Sequence, residues 1–279
     1  MEINYSVDML RLKVEVPYDV VCWIIHNPFK LEPKVSYKMM TSISAYRHNF
    51  YIKDYNGWGE ECSFWVATCH NSKRILKTGV ADVILEFNPN KCTGSTLLNY
   101  VIDHLFKDAC FVEVKSLDIA IDIPCNILDL CISRKGNMSR RLFDNGSDDI
   151  TYYFRKGKSN GAIKIYNKKR EAKLNHELTR YEITLNPNMY IDKMQFYDIP
   201  TDLFIDISCV GGFQIPLDLV GTDKILLLAC IEHPEYLRDL SRRKREKIEQ
   251  LLAESCSISF DYGIIKNTID NCLKSIYTL

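Results

Sequence analysis

The chain has 279 residues, 46% of them hydrophobic and 26% charged, with a formal net charge of zero. That is enough chain for a sizeable core, and it excludes a disordered polymer or a protein drawn to nucleic acid by a global positive field. No stretch approaches the roughly 20 uncharged apolar residues of a membrane span, and residues 1–13 lack the plan of a signal peptide, so a cytoplasmic protein without membrane partners is expected. The eleven cysteines include no Cys-x-x-Cys pair and read as small buried hydrophobes in a reducing compartment. The six histidines show no His-x-His pair.

In chain order, alternation from Tyr5 to Val16 predicts a strand. Tyr18 to Ile25 reads as a short helix, and Phe64 to Thr68 and Val83 to Phe87 as strands. Asn88-Pro89-Asn90 stops the chain pairing. A helix is expected from Ser95 to Phe106, where Ser and Thr can cap it. Strands follow at Phe111–Ile123, Ile150–Phe154, Ala162–Tyr166 and Thr179–Leu185, with Gly157–Gly161 as a hairpin turn. Beyond Asp202 the chain turns helical, notably over Thr222–Glu232 and Ser241–Glu254, with Pro234 between them.

This order predicts an α+β fold: a central antiparallel sheet with helices on one face and catalytic residues on the other, plus a helical C-terminal segment. Two regions are expected, 1–205 as a catalytic domain and 206–279 as a helical region packed with it.

Side chains alternate across a strand, so each strand can be sorted by face. Leu117, Ile119, Ile121 and Ile123 go one way, and Asp118, Ala120 and Asp122 the other. Ile163 and Ile165 oppose Lys164, Tyr166 and Lys168. Tyr181, Ile183 and Leu185 oppose Arg180, Glu182 and Thr184. Val83, Leu85 and Phe87 oppose Glu86. If these strands share one sheet, its polar face collects Glu86, Asp118, Asp122, Glu182, Tyr166, Lys164, Lys168 and Arg180. A solvated sheet face accounts for mixed polar residues, but less readily for the Asp-x-Ala-x-Asp triplet. Clustered acids need a cation or a base, and hard oxygen ligands suit Mg²⁺ or Mn²⁺. Both readings stand on the pattern alone.

One tyrosine among sixteen is ordinarily structural. Tyr166 differs in its company of lysines and carboxylates, since cations and a metal favour the nucleophilic phenolate and would also hold a scissile phosphate. From Arg155 to Arg170 there are seven basic residues and no acidic one (Arg155, Lys156, Lys158, Lys164, Lys168, Lys169 and Arg170). From Arg238 to Lys247 there are six basic and two acidic residues, with Arg242, Arg243, Lys244, Arg245 and Lys247 in a near-continuous run. Either cluster can be a solvated face, with Glu246 and Glu249 pairing inside the second, or a DNA footprint confined to one side of a neutral protein.

Several stretches resemble one family, in its order and over nearly the whole chain: Tyr5-Ser-Val-Asp-Met-Leu-Arg-Leu, Glu86-Phe-Asn-Pro-Asn-Lys, Leu117-Asp-Ile-Ala-Ile-Asp, Ile165-Tyr-Asn-Lys-Lys with Arg170, Arg180-Tyr-Glu-Ile, and the basic segment after Leu240. The sequence is similar to the replication initiators of rolling-circle plasmids of the Rep_trans (replication initiation factor) type, a family that also holds relaxases of some conjugative elements. The resemblance implies Tyr166 as the nucleophile that nicks one DNA strand, leaving a 5′-phosphotyrosine link and a free 3′-OH. It implies that some of Asp118, Asp122, Glu182 and Glu86 hold a catalytic Mg²⁺ or Mn²⁺. It also implies a homodimer in a bacterial host, duplex origin recognition near Arg242–Lys247, a single-stranded nick site, and a host helicase and polymerase as partners. One departure is visible: the family has glycine after the aromatic that ends the strand before the nucleophile strand, and this chain has Arg155 after Phe154. The absence of an N-terminal helix-turn-helix extension favours a plasmid or phage initiator over a relaxase. The rival readings are a metal-dependent hydrolytic nuclease and a DNA-binding regulator without catalysis.

Overall fold

The computed structural model describes residues 2–26, 35–39, 48–69, 72–132, 139–146, 149–155, 161–209, 218–256 and 258–277. Its strands are β1 (Asn4–Pro17), β2 (Val35–Met39), β3 (His48–Tyr55), β4 (Glu61–Cys69), β5 (Val80–Phe87), β6 (Phe111–Ile123), β7 (Leu130–Ile132), β8 (Arg140–Asp144), β9 (Ile150–Phe154), β10 (Ala162–Asn167), β11 (Thr179–Leu185), β12 (Met189–Tyr190) and β13 (Ile207–Cys209). Its helices are α1 (Tyr18–His26), α2 (Ser72–Thr78), α3 (Thr96–Lys107), α4 (Lys168–Ala172), α5 (Gly221–Glu232), α6 (Arg242–Cys256) and α7 (Tyr262–Tyr277). The fold is α+β with a large antiparallel sheet, as the strand pattern predicts.

The chain forms two compact units, each gathered from three stretches. One comprises Ser6–Ile119, Thr184–Asp198 and Gly263–Leu279. Its strands pair in the order β2, β3, β4, β5, β1, β6, with β12 added to β6. The register puts Leu10, Leu12, Val14 and Val16 of β1 against Phe87, Leu85, Val83 and Ala81 of β5. All eight are buried, which is the reason the register holds: a slip by one residue would turn every apolar side chain outward. Pro17 ends β1, and α1 follows at once. Helix α3 buries Leu98, Val101, Ile102 and Leu105, the spacing of one helical face. Its start is fixed twice. Ser95 Oγ accepts the Leu98 N–H at 3.1 Å and donates to Asp54 Oδ2 at 2.6 Å, and the same Asp54 oxygen accepts the Leu97 N–H at 3.1 Å.

The other unit comprises Met1–Tyr5, Ala120–Ile183 and Ile199–Tyr262. Here the end of β6 is followed by β11, β10, β9 and β8. Phe154, Ile163, Ile165, Tyr181 and Ile183 are buried. The Tyr181 hydroxyl donates to the Leu203 carbonyl and accepts the Ile205 N–H at 3.2 Å, so the one polar atom of that side chain is satisfied. Helices α5 and α6 share an apolar cluster of Leu227, Cys230, Ile248 and Leu252, completed by Leu237.

Two expectations need correction. Lys168 does not continue β10. The Asn167 side chain accepts the Arg170 N–H at 3.0 Å and starts α4 there. The chain beyond Asp202 is not wholly helical, because Ile207–Cys209 forms β13 and pairs with β7; three residues are too few for alternation to announce a strand. Strands β2, β3 and β8 and helix α7 were not read from the pattern either. The Gly157–Gly161 turn lies outside the described residues except for Gly161, while β9 and β10 do pair antiparallel, with Ile163 opposite Phe154. Cys62, Cys92, Cys125 and Cys230 are buried free thiols, whereas Cys22, Cys209 and Cys272 are half-buried and Cys110 is exposed, so the cysteines are not uniformly the buried hydrophobes expected. Among the described residues no helix is long and apolar enough to cross a membrane.

Candidate active site

In the second of these units, Tyr166 is the last but one residue of β10 and is only 6% exposed. Its hydroxyl donates to Glu182 Oε2 on β11 at 3.3 Å. The Lys164 ammonium lies 3.8 Å from the centre of the Tyr166 ring, and that of Lys168 lies 5.9 Å away. Lys164 and Tyr166 are alternate residues, so β10 itself projects them to one side. Lys168 reaches the ring from the first turn of α4 and also pairs with Glu171. A phenol, a carboxylate in hydrogen-bond contact and a nearby ammonium are the parts of an activated oxygen nucleophile.

Beside them, Arg180 of β11 donates from Nε and Nη2 to both carboxylate oxygens of Asp122 on β6, at 2.6 and 2.8 Å. Asp122 was expected among metal ligands, and its charge is here neutralised by a guanidinium. Lys169 pairs with Glu177, and Arg170 lies 3.7 Å from Asp149. Arg155 has φ +55, the left-handed region, and its guanidinium pairs with Asp202 at 3.0 Å. Arg155 thus holds a backbone conformation that favours glycine. Lys156 and Lys158 lie outside the described residues.

In the other unit, Asp118 on β6 has its carboxyl held above the usual carboxylate range, chiefly by burial. A hydrogen bond with Thr184 opposes this, the charges of Asp8 and Glu86 add to it, and Arg11 again opposes it. Arg11 and Glu86 are directly opposed on β1 and β5 and form an ion pair. The Asn88 amide donates to Asp8 at 2.9 Å, and Asn90 donates to the Val7 carbonyl at 2.9 Å. The Asn-Pro-Asn turn therefore clamps the end of β5 to β1. Asp8, Arg11 and Thr184 were missed as members of this cluster, although Asp8 and Arg11 stand in the first family-like stretch. The available signal was that β1 buries Val7, Leu10 and Leu12 and leaves Asp8 and Arg11 outside the core.

Of the eight residues assigned to one polar face, the structure thus brings Tyr166, Glu182, Lys164 and Lys168 together, pairs Arg180 with Asp122, and gathers Glu86 and Asp118 in a cluster of their own. Among the described residues no three His, Cys, Asp or Glu side chains converge as a metal-ligand set.

On α6, Arg242 pairs with Glu246 at 2.8 Å, one helical turn away. Lys247 bonds Asp223 of α5 at 2.5 Å. Arg245 donates to the carbonyls of Arg238 and Leu240 at 3.0 and 3.1 Å. Arg243 and Lys244 are exposed.

No protein-family model matches the chain. A replication initiation protein of Staphylococcus aureus is 24% identical over 273 residues, which covers 88% of this chain and 82% of that protein. A second replication initiation protein of the same organism is 28% identical over 180 residues, 60% of this chain and 53% of its own length. Among solved structures, a rolling circle replication initiator protein from Geobacillus stearothermophilus aligns over 66% of this chain and 75% of its own, with 14% identity and a TM-score of 0.38. Over most of its length, the chain is similar in sequence to replication initiation proteins of Staphylococcus aureus.

Proposed function

We propose that the protein is a replication initiator of the rolling-circle type that nicks one strand of its origin by tyrosine transesterification. The observation that carries the chemistry is the Tyr166 hydroxyl on Glu182 with the Lys164 ammonium beside the ring. The similarity to replication initiation proteins supports origin DNA as the substrate.

In this reading Glu182 takes the phenolic proton as the Tyr166 oxygen attacks the scissile phosphorus. The bond between phosphorus and the 3′ oxygen breaks. The leaving oxygen takes up a proton and becomes the 3′-OH that primes a polymerase, and the 5′ phosphate stays on Tyr166. The phosphodiester energy is kept in the new ester, so no nucleotide is hydrolysed and rejoining is the same step reversed. Lys164 and Lys168 offset the charge on the attacking oxygen and on the phosphate.

The described acids do not converge into a ligand set, so no step here runs through a metal. Where a Mg²⁺ or Mn²⁺ binds, it supplies charge neutralisation, and Asp118 with Asp8 and Glu86 is the cluster whose repulsion it would relieve. Origin recognition falls to the exposed Arg243 and Lys244 of α6, a homodimer presents two such helices, and a host helicase and polymerase extend the product.

The test mixes purified protein and Mn²⁺ with single strands tiled from the DNA flanking its gene, followed by a denaturing gel. A protein–DNA band that is absent with Tyr166→Phe is expected. Cleavage without a covalent band would replace this reading by a hydrolytic nuclease, and binding without cleavage by a DNA-binding regulator.

A further inference from the structure

Strand β3 turns Phe50, Ile52 and Asp54 inward and leaves Tyr51, Lys53 and Tyr55 exposed. Strand β4 buries Cys62, Phe64 and Val66, with Glu61, Ser63 and Trp65 on its other side. The register sets Tyr51 opposite Trp65, Trp65 opposite Glu86, and Glu86 opposite Arg11. These four side chains form one row across four strands. The Tyr51 and Trp65 rings are stacked, with centroids 6.4 Å apart and planes 21° from parallel. The Arg11 guanidinium lies 5.7 Å from the centre of the Trp65 ring. The indole N–H donates to Asn49 Oδ1 at 3.2 Å, which fixes the orientation of that ring.

Aromatic pairs across strands stabilise sheets, and that accounts for the pairing. It does not account for the exposure. Tyr51 and Tyr55 are 50% and 51% exposed, and Trp58, in the turn between β3 and β4, is 70% exposed. Polar positions interrupt the aromatics: Lys53 pairs with Glu61 at 3.0 Å on the same face. Among the described residues of this face, the exposed rings of β3 are set apart by the charged Lys53. Separate, rigid π faces with a guanidinium at one end suit unpaired bases, each of which offers a flat surface of its own. The row also ends at Glu86 and Arg11, two members of the Asp118 cluster.

We propose that this face is a stacking platform for single-stranded DNA, with Tyr51 and Trp65 taking one unpaired base and Tyr55 another farther along β3. Lys53 and Arg11 both have carboxylate partners, so binding here rests on stacking more than on phosphate charge and tolerates any sequence. The assignment of the strand as DNA rests on the function proposed above.

The test titrates the full chain against a fluorescein-labelled oligothymidylate long enough to cross the sheet, and against its duplex with oligoadenylate. Expected are a preference for the single strand, a loss of about tenfold in affinity with Tyr51→Ala or Tyr55→Ala, and recovery with Tyr51→Phe, because the phenyl ring keeps the stacking surface. The salt dependence of the remaining affinity stays unchanged, since no phosphate contact is removed. Thermal melts of each variant separate lost stacking from lost folding, and Tyr51→Phe keeps the cross-strand pair. Equal affinity of the alanine variants and the wild type overturns the platform, as does no single-strand binding or equal binding of the duplex. The covalent-band assay on the same preparations reports on the nicking reading separately. A band with Tyr51-independent binding removes the platform alone. Tyr51-dependent binding without a band removes the nicking reading alone.

Discussion

Arg180 and Asp122 form a bidentate ion pair between the neighbouring strands β11 and β6, with side chains only 9% and 12% exposed. Removing Asp122 takes a bidentate carboxylate away from a buried guanidinium. Asp122→Ala is expected to lower unfolding free energy by about 3–5 kcal/mol in urea titrations, and the double variant Asp122→Leu/Arg180→Met to recover much of that loss. If the single variant costs no more than an exposed pair, the guanidinium has another acceptor.

Tyr166→Phe should abolish the covalent DNA product and change stability by only about 1 kcal/mol, because it removes one hydrogen bond from an otherwise packed ring. Glu182→Gln should slow product formation by about a hundredfold or more at neutral pH, with the loss shrinking as pH rises and hydroxide takes the phenolic proton. Single-turnover rates across pH measure both, and a Glu182→Gln profile parallel to that of the wild type would remove Glu182 as the proton acceptor.

Asp118 has a carboxyl held above its usual range by burial. The folded state therefore binds this proton more readily than the unfolded state. The charged form destabilises the fold, with no penalty below about pH 4 and a growing one as pH rises through the folded value. Asp118→Asn should thus melt higher than the wild type at pH 7, and the two should converge at about pH 4. Mg²⁺ or Mn²⁺ should raise the melting temperature of the wild type and not of Asp118→Asn. Equal cation effects on both would place the cation elsewhere.

Arg155 and Gly161 both have positive φ, +55 and +77. For Arg155→Gly, relief of left-handed strain, about 1–2 kcal/mol, is offset by a more flexible unfolded chain and by loss of a partly exposed ion pair, so stability should stay within about 1 kcal/mol of the wild type. Gly161→Ala is different: an added Cβ would lie 2.4 Å from Leu203 Cδ2, and Leu203 is buried. A loss of about 2 kcal/mol or more is expected. Thermal denaturation of the two variants side by side measures the contrast.

The basic run of α6 divides by role. Arg245→Ala should lower stability by about 1–2 kcal/mol, because its guanidinium holds the Arg238 and Leu240 carbonyls at the entry to the helix. Arg243→Ala/Lys244→Ala should leave stability unchanged and weaken binding to origin duplex. The salt slope of that binding should fall by about 2 if each residue contacts one phosphate. A stable double variant with unchanged duplex affinity would show this segment to be an ordinary solvated face.

The sequence by itself determined the faces of the strands. Leu117, Ile119 and Ile121 are buried and Asp118 and Asp122 are not fully so, because side chains alternate along any extended strand. It also determined where α3 falls, since the Ser95 cap and the helical spacing of its apolar residues are local. Helix α7, with its buried Ile265, Ile269 and Leu273, carries the same spacing and was legible in principle. The partners were not legible. Asp122 and Arg180 stand 58 residues apart, and Arg11 and Glu86 stand 75 apart. Nothing local states that Glu182 meets Tyr166, or that the exposed Tyr51 of β3 and the half-buried Trp65 of β4 line up with Arg11. Strand order and register decide those meetings, and they are set by which apolar faces bury against one another across the whole chain. Alternation tells each side chain which way to point, and only the pairing of distant strands tells it what it will touch.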